Sequence, residues 1–374
     1  MTANIGLNPS HTARGQLGGV GWPDGSTSYV YYPDGKVKNQ YRLNGVTTSY
    51  AYDGRGILSS LSDVNSSGQL AYREYWRDDR DRILGWKRGV GGPNGMEDGR
   101  GDRYGYDFEG QLTDASYRLP SPEASPGTAL RTETFHYDAM GNRIGYNYVA
   151  TRGVVTFNRR NNGLNQYLDW TPSAIYHDDN FPAPSPAPSP PWQWVFPGNG
   201  VTMADGNITA SFNALNQPVA MWSSAYGPTT YLWFGYDPLG RCVKRWKGNI
   251  DGVPVGSNPT TYFYYDGWNL VQEGLGGSSV NRTYVHGGRV DEIVASQVDG
   301  LWYYHHYDGQ GNCMMLTAGT QPGAIQEQYD YDAFGFPYFY TANGGTLTAV
   351  PRTRFLFTGR EWLNDLRIYD YRAR

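Results

Sequence analysis

Three kinds of side chain could make this chain a catalyst: histidines, cysteines and paired carboxylates. The six histidines form no H-E-x-x-H or H-x-H ligand pair. His305 and His306 are adjacent, so in a strand they face opposite sides and do not simply share a metal. Cys242 and Cys313 each follow a Tyr-Asp turn, where a packed strand residue is the expected role. There is no C-x-x-C zinc pair and no G-x-S-x-G elbow. Glu273, Asp291 and Glu292 are carboxylates a glycosidase could pair, but no pair stands out. Asp237 opens a D-P-L-G stretch that sits inside a Tyr-Asp turn unit. Trp192, Trp194 and Trp233 could stack on sugars, although sheet packing and edge cover are the favoured role. Arg100-Gly101-Asp102 spells an integrin-type tripeptide in a turn-rich stretch at 89–107, where chance is the better account. Glu97, Asp98 and Asp102 lack the EF-hand spacing, and the glycines of 274–279 lack the strand-to-helix context of a phosphate cradle.

One carboxylate context does recur, and recurrence argues for building rather than catalysis. The pairs Tyr52-Asp53, Tyr106-Asp107, Tyr137-Asp138, Tyr236-Asp237, Tyr265-Asp266, Tyr307-Asp308 and Tyr331-Asp332 are each followed by turn residues. Gly141, Gly240, Gly311 and Gly335 close four of those turns. Degenerate copies occur at Asp34, at 76–84, at Asp205, at Asn213 and at 162–168. With these included, many gaps are about 20–30 residues, the range of a repeat architecture. In each unit the Tyr ends a strand with a flat apolar ring and a polar tip. The Asp accepts backbone N–H groups two residues on, and the Gly takes the left-handed conformation. One unit is therefore a β-hairpin. A lone hairpin is marginal in water, so the hairpins must join edge to edge in a sheet.

Composition agrees. The 374 residues include 49 Gly, 32 Tyr and 12 Trp, the signature of short aromatic strands and tight turns. A net charge of −4 argues against a nucleic-acid surface and, with so many aromatics, against disorder. No window approaches 18 consecutive apolar residues, so no membrane span is expected, and the N-terminus does not read as a signal peptide. The expectation is an all-β, single domain of Tyr-Asp repeats over 1–374, its hairpins stacked edge to edge in one long sheet. A Pro-rich loop insertion at 171–195 leaves and rejoins that sheet.

The series of Tyr-Asp units, with the tail "RFLFTGREWLNDLRIYDYRAR" at 354–374, resembles the Rhs/YD-repeat family. That family includes bacterial Rhs polymorphic toxins, Tc toxin shell components and the teneurin barrel. The tail resembles the start of the Rhs-associated core: Phe357, Thr358, Gly359, Arg360 and Glu361 match its first part, and Tyr369, Tyr371, Arg372, Ala373 and Arg374 its second. The resemblance implies a sheet that spirals into a hollow shell around a C-terminal effector. It also implies that the sequence stops within the core, before the autoprotease that several members carry. The expected function is thus a structural, non-enzymatic wall segment of bacterial origin, without cofactor or metal. Its partner would be the C-terminal toxin of a secreted or cell-surface parent. Exposed sheet edges would allow self-association. The rivals are a surface adhesin that binds glycans through Tyr and Trp faces, and a glycosidase or autoprotease remnant. Along 367–374, read as one strand, Ile368, Asp370, Arg372 and Arg374 share one face and Arg367, Tyr369, Tyr371 and Ala373 the other. The arginines there would stack on the rings or pair with Glu361 and Asp365.

Overall fold

The computed structural model describes residues 7–90, 99–123, 129–150, 153–161, 167–172, 192–193, 208–215, 217–223, 230–255, 260–276 and 279–371. Among them the regular structure is antiparallel strand, with one 3-10 turn at Phe357–Gly359. The first sheet contains β1 (Asn8–His11), β2 (Leu17–Trp22), β3 (Gly25–Tyr31), β4 (Val37–Arg42), β5 (Thr47–Tyr52), β6 (Leu58–Asn65), β7 (Gly68–Arg77) and β8 (Ile83–Val90). It continues through β9 (Arg100–Tyr106), β10 (Leu112–Leu119), β11 (Arg131–Tyr137), β12 (Arg143–Ala150), β13 (Gly153–Asn161), β14 (Tyr167–Pro172) and β15 (Trp192–Gln193). The second contains β16 (Ile208–Phe212), β17 (Pro218–Ser223), β18 (Tyr231–Tyr236), β19 (Cys242–Gly248), β20 (Thr261–Asp266) and β21 (Asn269–Leu275). It ends with β22 (Ser279–His286), β23 (Ile293–Val298), β24 (Leu301–Tyr307), β25 (Cys313–Ala318), β26 (Ile325–Tyr331) and β27 (Pro337–Thr341). In both sheets each strand pairs with its neighbours in sequence, so each is an unbroken meander. β28 (Glu361–Leu363) and β29 (Ile368–Asp370) form a separate small hairpin.

Register explains why the meander holds. Several Tyr-Asp hairpins shift by one residue just before the turn, between Ala51 and Tyr52, Gly235 and Tyr236, and His306 and Tyr307. Such a bulge goes with a turn that closes on a left-handed residue. The strands flanking 173–191, β14 and β15, pair within the first sheet. The rest of the Pro-rich insertion lies outside the described residues.

The sheets face each other. Val20 and Trp22 of the first pack with Val285, Val294, Ala295 and Tyr304 of the second, and Val46, Leu70 and Ala71 pack with Met315 and Ile325. The other face of the second sheet is also covered: Tyr303, Tyr307, Leu316, Tyr329 and Tyr331 form a core with Leu356 and Trp362 of the tail. β23 and β25 are consequently buried on both faces, where an antiparallel sheet commonly leaves one to water. Burial of these aromatic and aliphatic side chains is the main stabilising term.

Candidate functional site

The repeat turns show what the recurring pair does. Asp138 accepts the N–H groups of Met140 (2.9 Å) and Asn142 (2.8 Å), and Asp237 those of Leu239 (3.0 Å) and Arg241 (2.9 Å). Asp308 does the same for Gln310 and Asn312, Asp332 for Phe334 and Phe336, and Asp53 for Arg55 and Ile57. Asp107 accepts from the N–H of Gln111 (2.7 Å). Gly141, Gly240, Gly311 and Gly335 have φ of 83°, 84°, 84° and 89°, which a side chain would strain. Asp237 also takes the Arg241 guanidinium at 2.7 Å. Burial acts to raise its pKa, but the Arg241 amide and guanidinium outweigh it and hold the carboxyl below its usual range. The D-P-L-G aspartate is therefore a turn cap. Asp266 differs: it ends β20 opposite Asn269, so only Gly267 and Trp268 intervene and there is no such turn to cap. Its inclusion among the turn-pinning aspartates is corrected.

The tyrosine carries a role that the residue pattern alone did not reveal. The hydroxyls of Tyr52, Tyr106, Tyr137 and Tyr236 donate to the carbonyls of Val37 (2.9 Å), Ile83 (3.0 Å), Leu112 (2.8 Å) and Pro218 (2.8 Å). Those of Tyr265, Tyr307 and Tyr331 donate to Cys242 (2.9 Å), Ile293 (3.0 Å) and Cys313 (2.6 Å). Each acceptor begins the return strand of the preceding hairpin. Aspartate closes its own hairpin, and tyrosine staples that hairpin to the one before it.

The tail motif locks onto the second sheet. Gly359 has φ 72°, and a Cβ there would sit 2.6 Å from the Asp291 carbonyl oxygen. Arg360 pairs with Asp291 at 3.1 Å and lies over the Tyr371 ring. Glu361 accepts from Arg245 (2.7 Å) and Arg354 (2.6 Å). Burial acts to raise its pKa, yet the two guanidiniums hold it below the ordinary value. Tyr369 donates to the Gly335 carbonyl at 2.8 Å and packs on Trp362. Arg372 lies outside the described residues. Among the described residues of the stretch read as one strand, the strand covers Ile368–Asp370 only. Arg367 sits at φ 53° and ends the turn of the β28–β29 hairpin. Glu361 pairs with arginines upstream, and Asp365 with Lys247 at 3.1 Å.

The other candidate residues are also accounted for. Glu273 accepts from Arg354 and from the Tyr284 hydroxyl, and Glu292 pairs with Arg289 at 3.2 Å. Cys313 Sγ lies 3.8 Å from His305 Nδ1, but both groups are fully buried. Burial pushes the thiol far up and the imidazole down to about 3, so neither ionises as a nucleophile pair would require. Burial also pushes the Cys242 thiol up to about 12. Trp233 stacks on Trp246 and donates to the Asn249 carbonyl at 2.9 Å. The side chains of Trp192 and Trp194, and residues Glu97 and Asp98, lie outside what is described. Asp102 is buried in β9, so the Arg-Gly-Asp tripeptide is a strand and not a displayed loop.

Between the sheets runs a polar seam. His306 bridges Asp63 Oδ1 (2.8 Å) and Thr317 Oγ1 (2.9 Å), and Arg42 bonds Thr48 at 2.6 Å and lies 4.0 Å from Asp63. Asn44 reaches Thr317 (3.0 Å), and Arg88 reaches Asp330 (2.9 Å). Burial acts to raise Asp330, but Arg88, Arg118 and Arg73 overcome it and hold the carboxyl low. Neighbouring Asp102, pushed up by burial and by the Asp330 charge, reaches about 7. A cavity of about 240 Å³ lies alongside, lined among others by Trp86, Tyr104, Phe334, Asp308, Asp330 and Asp332. Sequence spacing offered no signal for these pairs, whose partners are more than 240 residues apart.

No family model matches the chain. It is similar to the "tRNA3(Ser)-specific nuclease WapA" of Bacillus spizizenii, 23% identical over 350 residues that cover 93% of this chain and 13% of that protein. It is also similar to the "tRNA nuclease WapA" of Bacillus subtilis, 22% identical with the same coverage. Among solved structures it resembles the crystal structures of TcdB2-TccC3-Cdc42 and of TcdB2-TccC3. Each has a TM-score of 0.70 and 15% identity, over 98% of this chain and, respectively, 18% and 19% of the solved chain. The fold is thus that of the antiparallel β-hairpin shells of those Tc toxin components. The relatives and the shell neighbours together support the Rhs/YD-repeat family for this chain. The same relatives correct the expectation that the protein is not an enzyme: they are named as tRNA nucleases, and the matched stretch is 13% of their length. Among the described residues no helix is long and apolar enough to cross a membrane, which leaves membrane-spanning strands unaddressed.

Proposed function

We propose that this chain is a wall segment of an Rhs-type shell within a longer protein, and that the shell encloses or presents a C-terminal effector. By relation to the WapA proteins, the effector is a nuclease acting on RNA, and the whole protein is secreted or held at the cell surface. One observation carries the reading. The chain forms meanders in which Tyr-Asp units close several of the hairpins and staple them to the hairpin before, and 98% of this chain matches 18% of a Tc toxin chain in fold. Such a wall excludes solvent and macromolecules by continuity of its backbone hydrogen bonds.

The test uses the natural gene product that carries this stretch. Protease should spare its C-terminal region in the intact protein and digest it once the shell is unfolded by denaturant. Equal digestion rates in both conditions would sink the enclosure reading. Assay of the isolated chain and of the full product against tRNA locates the nuclease chemistry.

A further inference from the structure

The cavity beside the polar seam has a composition that wall building does not explain. Its volume is about 240 Å³, room for about eight waters or for a small planar cation on a short stem. Trp86 and Tyr104 of the first sheet and Phe334 of the β26–β27 turn supply aromatic walls. Phe334 is half exposed, so one side of the cavity reaches solvent. Asp308, Asp330 and Asp332 bring three carboxylates to the same space.

Charge is not balanced there. Asp330 has cations of its own, Arg88 at 2.9 Å and Arg118 at 3.8 Å. Asp308 and Asp332 form no ion pair among the described residues. Asp308 is only 7% exposed, and its oxygens accept from the Gln310 and Asn312 amides and the Asn312 carboxamide. Asp332 accepts the Phe334 and Phe336 amides on Oδ1, and no described residue bonds its Oδ2. Burial and the Glu133 charge push the Asp332 carboxyl up to about 6, against the opposing charge of Arg131. Arg73 also lines the cavity, but its guanidinium lies over the Trp86 ring at 4.1 Å and its Nε donates to Met314 Sδ. Buried carboxylates call for a cation, and these two lack one.

We infer that this cavity binds a guanidinium group, carried by a small ligand or by an arginine side chain. A guanidinium is planar, stacks on aromatic faces and donates in a fork to carboxylates, which matches walls of rings with uncompensated aspartates between them. The protein makes the same pairing around the cavity: Arg73 lies over Trp86, Arg143 over Phe334 at 4.2 Å and Arg82 over Tyr106 at 4.8 Å. An ammonium is more strongly hydrated and gains less from the rings. A divalent metal ion needs several oxygens converging on one point. Among the described residues no three Asp, Glu, His or Cys side chains converge in that way, and Oδ1 of Asp308 and of Asp332 is held by turn amides.

The experiment is isothermal titration calorimetry of the full chain at pH 8 and fixed ionic strength. The probes are ethylguanidine and a short peptide with one central arginine, blocked at both ends. One site with a Kd of ~1 mM or below is expected. Tighter binding of ethylguanidine points to a small ligand as the source, and tighter binding of the peptide to an arginine side chain. Asp308→Asn and Asp332→Asn should each weaken binding at least ~10-fold. Both should keep the wild-type circular dichroism, because Asn213 and Asn249 already cap equivalent turns through their carboxamide oxygens. Asp237→Asn removes a charge from a turn that does not line the cavity and should bind as wild type does. Absence of binding by either probe up to ~10 mM overturns the inference. So does unchanged affinity in Asp308→Asn and Asp332→Asn, an equal loss in Asp237→Asn, or binding of calcium in place of both probes.

Discussion

A tyrosine hydroxyl and a buried aspartate show how much single atoms decide here. Tyr331 gives its hydroxyl to the buried Cys313 carbonyl, so Tyr331→Phe leaves that oxygen unsatisfied. The cost should be about 1–2 kcal/mol by urea denaturation, and less for Tyr52→Phe, whose surroundings are partly wet. Equal costs would remove the staple from the account. Asp102 tests electrostatics. Burial and the Asp330 charge push its carboxyl up to about 7, above the unfolded value near 3.9. The folded state then binds the extra proton between those two values, and stability contributed by the protonated form is lost as pH rises through 7. Asp102→Asn keeps the acceptor for the Arg118 N–H and carries no charge. It should be more stable than wild type at pH 8 by ~1–3 kcal/mol, with the advantage shrinking towards pH 4. Thermal melts at pH 8 and 5 that show the same difference would refute the assignment.

At the scale of elements, the hairpin was legible from residues because its chemistry is local. An Asp caps amides two and four positions on, and a Gly closes the turn, so Asp138 with Gly141 and Asp308 with Gly311 announce themselves. Asp266 did not follow, because Gly267 and Trp268 make a two-residue turn that the Tyr-Asp pair alone does not distinguish. The tail was misread for a related reason. An alternation of Arg and Tyr looks like a strand, but Arg367 takes a left-handed conformation that no period predicts. The docking of that tail also rests on one backbone position. Gly359→Ala adds a Cβ that meets the Asp291 carbonyl at 2.6 Å in a left-handed conformation. The tail should then detach, freeing Leu356 and Trp362 from the second sheet. Limited trypsin digestion should cut at Arg360 or Arg367 in the variant well before it does in wild type, and unchanged cleavage would show that the tail accommodates the side chain.

At the scale of the molecule, the two meanders are held to each other by groups that no local pattern connects. Asp63 and His306 meet across the seam with Arg42 and Thr317, all buried. Burial and the nearby Arg42 charge push His306 down, while Asp63 is held below its usual range by His306, Arg42 and the Thr48 hydroxyl against the opposing effect of burial. An imidazole, a hydroxyl and a guanidinium thus surround one buried carboxylate. Removing the carboxylate leaves Arg42 buried with its Nε already unpartnered, a change that costs about 3–5 kcal/mol in buried pairs. Because each meander is continuous by itself, that loss should fall on the seam and not on either sheet. Wild type should unfold in urea as one transition, with the same midpoint by fluorescence and by circular dichroism. Asp63→Ala should split the two, sheet separation exposing Trp22 and Trp302 at lower urea than the loss of strand signal. A single transition merely shifted to lower urea would mean the seam and the sheets form one cooperative unit, and the carboxylate would then stabilise the whole fold and not the junction.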